Sequence, residues 1–225
     1  MNVCMVPVRK GSERLPKKNY LKIGNLTVLE ITLLKALNCN IFDRIVVNTD
    51  DPKLEELASK IGVDFYLRKE DLASSIATSD QVVLDFFENN PGDRVFWVNT
   101  VSPLQTREDI KNFVNLSQGS NWKSGVSINS SQVHFIYKNQ PLNFNWESGF
   151  ARTQDLESVS SFNYAMMGWH REMVRKLKVG QLFDENTFKV ESSKWSNFLL
   201  KNADDLELIT RLSQVAPDQG INFKI

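Results

Sequence analysis

Five basic side chains, Arg9, Lys10, Arg14, Lys17 and Lys18, fall within residues 9–19, directly after an apolar run at residues 3–8. Arg9 offers a planar fork for phosphate oxygens and Lys18 a compact charge. Gly11 lets the backbone approach a ligand closely, and amides of such a loop can cradle a polyphosphate. A solvated basic turn is the alternative, and composition alone does not separate the two. Asp50 and Asp51 end a second apolar run and read as a turn and helix cap, or as help at a site. The only histidines, His134 and His170, are far apart and lack a Ser or Cys nucleophile signature, so they read as structural.

The chain has 225 residues, with 27 Lys+Arg balancing 27 Asp+Glu. A zero balance gives no global field for polyanions, so any phosphate must be held by a local cluster. Trp97, Trp122, Trp146, Trp169 and Trp195 are too dispersed to form a stacking platform for nucleic acid. No apolar run reaches the roughly 18 residues of a membrane span. The first residues read as a buried strand rather than a signal peptide. Two cysteines without paired spacing, Cys4 and Cys39, argue against a disulfide framework or metal site and fit a reducing cytoplasm.

Elements must now position the basic loop. Short apolar runs at residues 3–8, 44–49, 63–67 and 94–98 read as strands. Helical patterns intervene: leucines and Ile31 between residues 26 and 37, a helix opened by Pro52 and stopped by Gly62, one capped near Thr78, and one framed by Thr106 and Asp109. This alternation predicts an α/β three-layer sandwich with a mostly parallel sheet in a single domain, 1–225. Ligands of such sheets bind beyond the strands' carboxyl ends, which places residues 9–19, 48–51 and 99–105 on one rim. Residues 128–161 are polar and weakly periodic, and read as an inserted β-rich arm with a strand at 133–137 and a turn at 139–142. A strand at 163–169, helices at 171–177 and 204–212, and a tail from Pro217 complete the reading.

The run Val8-Arg9-Lys10-Gly11-Ser12-Glu13-Arg14-Leu15-Pro16-Lys17-Lys18-Asn19 resembles the signature loop of the CMP-sugar synthetases, the family of acylneuraminate cytidylyltransferases. Five further blocks resemble the family in order: residues 42–51, 66–73, 100–106, 153–167 and 202–206. The resemblance implies transfer of CMP from CTP to the anomeric hydroxyl of an acidic sugar, sialic acid or a related nonulosonate, with release of pyrophosphate. It further implies magnesium as cofactor, CTP and an acidic sugar as partners, and a homodimer in which the arm reaches across. By position, Arg9 and Lys18 would be the catalytic pair holding the phosphates. Gly11, Ser12, Arg14, Asn19, Thr78 and Ser79 would join them around the nucleotide. Asn99, Gln105, Arg152, Gln154 and Asn163 would face the sugar.

Departures from the family pattern keep alternatives open. Glu13 replaces a lysine, Gln105 and Thr153 replace arginines, and Tyr164 replaces a glycine. Leu199 and Lys201 stand where the resembled family keeps a carboxylate pair for magnesium, so the metal ligands are undetermined. Three readings remain: an active sugar cytidylyltransferase, a relative that binds nucleotide or a partner without turnover, and a transferase for a different sugar.

Overall fold

Strand β1 (Asn2–Pro7) is buried at every position after Asn2, as a continuous apolar run covered on both faces should be. The computed structural model describes residues 1–11, 15–119 and 121–216. After β1 come a short hairpin, β2 (Lys22–Ile23) and β3 (Leu26–Thr27), then α1 (Val28–Cys39), β4 (Arg44–Thr49), α2 (Leu54–Ile61) and β5 (Asp64–Leu67). Helix α3 (Ser79–Asn89), β6 (Arg94–Val98), α4 (Arg107–Leu116) and β7 (Ser124–Ser131) follow. A second hairpin, β8 (Ile136–Tyr137) and β9 (Gln140–Pro141), precedes β10 (Val159–His170), α5 (Val174–Leu177), β11 (Phe188–Glu191) and α6 (Ala203–Leu212).

The main sheet has the order β11-β7-β10-β6-β1-β4-β5. Its β6-β1-β4-β5 portion is parallel, and β10 runs antiparallel to both β6 and β7. Period-two alternation sorts β1 onto two cores. Cys4 and Val6 pack beneath α1, α2 and α4, whereas Val3 and Met5 meet α3 and α5 on the opposite face. A smaller core joins α1 to α6 through Ile31, Leu104, Leu200 and Ile209. The predicted α/β sandwich with a mostly parallel sheet is therefore the observed architecture.

Local chemistry explains the helix ends. Thr27 and Glu30 form a reciprocal capping box on α1, Thr106 and Asp109 on α4, and Asn202 and Asp205 on α6. Each such cap satisfies orphan backbone donors and is worth about 1 kcal/mol. Gly62 ends α2 at φ 84°, in the left-handed region that glycine adopts without strain.

Some expectations shift in detail. Residues 124–131 and 159–170 pair as a long antiparallel ribbon of the main sheet, so the segment that projects from it is 132–158. Within it the hairpin turns at Lys138 and Asn139, at φ 49° and 63°, rather than at 139–142. Two successive positive φ values match the twist of a two-residue hairpin loop. The helix expected at 171–177 begins as a 3-10 turn and only then becomes α5. Strand β11 escaped sequence reading because only Val190 of its four residues is buried. The tail from Pro217 lies outside the described residues.

Gly125 and Gly168 face each other across the ribbon. Their missing side chains admit Trp122, which stacks on Phe96 with centroids 5.9 Å apart. A Cβ on Gly168 would sit 2.9 Å from Phe96 and 3.1 Å from Phe113 and Trp122, all fully enclosed rings. We expect Gly168→Ala to destabilise the fold by about 1–3 kcal/mol through overpacking. Urea unfolding measures this, and an unshifted midpoint would contradict it.

Candidate functional site

From β1 the chain winds outward through β4 to β5, then crosses back to β6 on the other side of β1. Connections therefore diverge between β1 and β6, the place where open α/β sheets hold ligands. A cavity of about 780 Å³ opens there. Arg9 follows β1, Asn99 and Thr100 follow β6, and Arg68 follows β5; all line the cavity. Lys18 and Asn19 come from a 3-10 turn, and Thr78 and Ser79 from the start of α3. The opposite wall is apolar, with Trp97, Phe162, Tyr164, Met167, Leu182 and Phe183.

The rim loop at 99–106 is tied down from several directions. Lys35, fully enclosed on α1, donates from Nζ to the carbonyls of Pro103 at 2.5 Å and Gln105 at 2.7 Å. Thr100 Oγ1 donates to Asn19 Oδ1 at 2.9 Å, and Ser102 Oγ to the Ser196 carbonyl at 2.7 Å. The Leu200 amide donates to the Val101 carbonyl at 2.7 Å, and the Asn99 amide to Ala165 at 3.1 Å. Burial outweighs the nearby anionic groups and pushes the Lys35 ammonium down to about 7.

Asn163 organises the other wall. Its side chain is buried, donates to Ser192 Oγ at 2.7 Å and Asn197 Oδ1 at 2.8 Å, and accepts from Ser127 Oγ and the Ala165 amide. The β7–β10 register shifts between Phe162 and Met167, and Tyr164 inside that irregularity stands at φ 54°. Such an insertion re-aims side chains. Here it brings Phe162 and Tyr164 to the cavity, their rings edge to face at 5.7 Å.

Charge is strongly one-sided. Arg9, Lys18, Arg68 and Lys201 line the cavity, while no Asp or Glu does among the described residues. Arg68 is 5% exposed; its Nη2 donates to the Val8 carbonyl at 3.1 Å, and its Nε has no partner among the described residues. Burial holds this guanidinium below the usual arginine range, Arg9 presses the same way, and Asp50 and Asp85 oppose. Three carboxylates outside the lining have their own partners: Asp50 accepts from the Lys10 amide, Asp51 from the Tyr20 hydroxyl, and Asp85 from the Tyr66 hydroxyl. Magnesium prefers carboxylate oxygens in octahedral array. The described residues contain no group of three His, Cys, Asp or Glu suited to a metal ion, and Leu199 and Lys201 offer no anionic oxygen. Among the described residues the lining offers a magnesium ion no carboxylate, so this donor set does not fit one.

Of the residues singled out from sequence, Arg9, Lys18, Asn19, Thr78, Ser79, Asn99 and Asn163 converge on the cavity, as do Leu199 and Lys201. Ser12, Glu13 and Arg14 lie outside the described residues. Gly11 is exposed and away from the wall. Gln105 is not at the wall either: it is buried, with its carbonyl bound to Lys35. Arg152 is exposed on the projecting segment, where Asp155 engages it at 2.7 Å. Gln154 shares that turn and accepts from Gln132 through its carbonyl. Both are distant because 132–158 leaves the sheet before β10 returns to the rim. Sequence reasoning missed Arg68 as a site residue, although it stands just past the end of β5. Trp97, set aside in the sequence as one of five dispersed tryptophans, reaches the cavity with its buried Nε1 unpartnered among the described residues.

Replacing Lys35 with Met orphans two enclosed carbonyls, so we expect a loss on the order of 2 kcal/mol or more by urea unfolding. The folded-state pKa of Lys35 lies below the unfolded value of 10.5. The unfolded chain thus binds more protons between pH 7 and 10.5, and the lysine's contribution to stability rises with pH across that window. Parent and Lys35→Met stabilities should diverge further as pH rises there; parallel curves would refute the assignment. Tyr164→Gly removes a left-handed L-residue and should relieve roughly 1 kcal/mol of backbone strain. Thermal unfolding that shows a lowered midpoint would count against this.

The cytidylyltransferase family profile matches residues 3–214. Over 116 residues, 49% of this chain and 50% of the relative, the chain is 31% identical to pseudaminic acid cytidylyltransferase of Campylobacter jejuni. It is 29% identical to the CMP-N,N'-diacetyllegionaminic acid synthase of Legionella pneumophila over 137 residues, 56% of each chain. The chain thus spans about half the length of the curated relatives it matches. The structure of CMP:2-keto-3-deoxy-manno-octonic acid synthetase complexed with CTP superposes with TM-score 0.69 at 14% identity, covering 95% of this chain and 98% of that one. A cytidylyltransferase from Leptospira borgpetersenii gives 0.65 at 16% identity, covering 99% and 90%. At such identities the structural likeness speaks for the fold alone. The profile match over nearly the whole chain goes further: this chain belongs to the cytidylyltransferase family.

Proposed function

We propose that this chain transfers CMP from CTP to an acidic sugar of the nonulosonic type. The carrying observation is the cavity at the β1–β6 divergence, with a cationic rim on one side and an amide and aromatic wall on the other. Arg9, Lys18 and Arg68 would neutralise the phosphates, and the first turn of α3, at Thr78 and Ser79, adds donors and a favourable dipole for anions. Asn99 would orient the sugar, with the fully bonded Asn163 holding the wall behind it in place. Phe162, Tyr164, Leu182 and Phe183 suit the methyl and acyl groups of an acylated sugar, in keeping with the names of the pseudaminate and diacetyllegionaminate relatives.

In the reaction the anomeric oxygen forms a bond to the α-phosphorus. The bond from that phosphorus to the bridging oxygen breaks, pyrophosphate leaves with the electron pair, and the hydroxyl proton passes to solvent. Positioning and charge neutralisation supply the acceleration. The cation-rich cavity with Leu199 and Lys201 favours a second reading, a relative that binds nucleotide without turnover.

We further propose a homodimer joined through the projecting segment. Ile136, Tyr137, Leu142, Trp146 and Phe150 expose more than half of their surface there, and His134 stacks on Phe150 at 4.0 Å. Apolar clusters of this kind usually mark contact surfaces. Among the described residues no helix is long and apolar enough to cross a membrane. With two free, buried cysteines, a cytoplasmic setting fits the reading.

Incubation with CTP, magnesium and a panel of N-acylneuraminic, pseudaminic and diacetyllegionaminic acids should release pyrophosphate with at least one sugar. CTP binding by calorimetry without release from any of them would overturn transfer to these sugars and leave the binding-only reading or a transferase for a different sugar. We expect Arg9→Ala to weaken CTP binding about tenfold or more, the scale of one charge-assisted contact; unchanged affinity would remove Arg9 from the site.

A further inference from the structure

On the nucleotide reading above, groups of this cavity must balance the phosphate charge. Four cations, Arg9, Lys18, Arg68 and Lys201, surround the cavity, and no carboxylate lines it among the described residues. Arg68 is 95% enclosed, by its 5% exposure, and keeps a buried Nε–H with no protein acceptor among those residues. A buried unsatisfied donor on a charged group is costly unless a ligand completes it. Asp50 and Asp85 act on the Arg68 charge more strongly than Arg9 opposes it, so what Arg68 lacks is an acceptor for its Nε–H rather than a counter-charge.

The backbone that carries Lys201 is tied down on both sides of Leu200. The amide of Leu200 donates to Val101 at 2.7 Å, and that of Lys201 to Asp205 Oδ2 at 2.8 Å. These bonds fix the backbone at the mouth of the cavity, with the lysine side chain exposed there. A divalent cation entering this setting would meet four like charges and no anionic ligand from the described residues, whereas a polyphosphate would meet complementary charge on several sides.

We propose that this chain binds the nucleotide's triphosphate as the metal-free anion, with Lys201 and Arg68 completing a cradle begun by Arg9 and Lys18, so that affinity does not require a divalent cation. Lys201 supplies the positive charge that a bound metal would otherwise bring to the phosphates.

Calorimetric titration of CTP into the full chain, once in excess EDTA and once in excess magnesium, tests this. The dissociation constant in EDTA should be no larger than in excess magnesium, where the ion competes with the protein for the phosphates. In EDTA, Lys201→Gln should weaken binding about tenfold and Lys201→Arg should retain it, while the melting temperature of the ligand-free variants stays that of the parent. Leu199→Asp combined with Lys201→Asp should make binding depend on magnesium. Binding seen only with magnesium would overturn the proposal and leave the nucleotide reading standing. So would a Lys201→Gln variant that binds CTP in EDTA as tightly as the parent. Absence of CTP binding in both buffers would overturn the nucleotide reading and the proposal with it.

Discussion

A lysine buried beneath a loop holds the rim together. Lys35 lies on the inner face of α1, and its Nζ reaches the carbonyls of Pro103 and Gln105. A loop folded over a helix would otherwise carry unsatisfied acceptors into the interior, which folds do not tolerate. Once that loop is fixed, the rest of the rim docks on it. Asn19 accepts from Thr100, Leu200 donates to Val101, and Ser196 accepts from Ser102. The basic turn, the strand β6 exit and the carboxyl-terminal approach to α6 thereby take one arrangement. Lys18 and Lys201, remote in sequence, line the same cavity for this reason.

The opposite wall depends on an irregularity. A regular β7–β10 ladder would keep alternating its side chains, but the register shift after Phe162 breaks the alternation. Asn163 turns inward to a network with Ser127, Ser192 and Asn197, and so satisfies the polar groups that the shift exposes. Tyr164 is left in the left-handed region beside the cavity. Strain of this kind persists where the surroundings over-determine it, and here the buried amide does so.

Net charge is zero along the chain, yet among the described residues every charged side chain lining the cavity is cationic. Several acids serve other partners: Asp51 fixes Tyr20, Asp85 fixes Tyr66, and Asp205 caps α6 while holding the backbone of Lys201. Charge balance is thus achieved by separating roles, with carboxylates bracing the frame and cations facing the ligand space. Such separation concentrates a field where low-dielectric walls preserve it.

Strand and helix order was legible in sequence because local rules act locally. The apolar runs of β1, β4, β5 and β6 show period and length, and Thr106 with Asp109 and Gly62 mark helix ends. The basic turn stood out as well, since its charges are adjacent in the chain, and ordered motifs carried the family resemblance. Arg68 did not stand out as a site residue, because one arginine after a short strand looks like any surface arginine until the sheet order puts it beside Arg9. Gln105, Arg152 and Gln154 matched motif positions, yet none of them lines the cavity: Gln105 is buried in the loop that Lys35 holds, and the other two sit on a segment that departs from the sheet. Strand β11 was invisible because an edge strand with one buried residue has no periodicity. Sequence by itself determined the alternation of elements, the family and the location of the basic turn, all of which depend on neighbours along the chain. Tertiary structure alone decided which distant residues share the cavity and what charge they present there, because that depends on sheet order, a register shift and one buried ammonium.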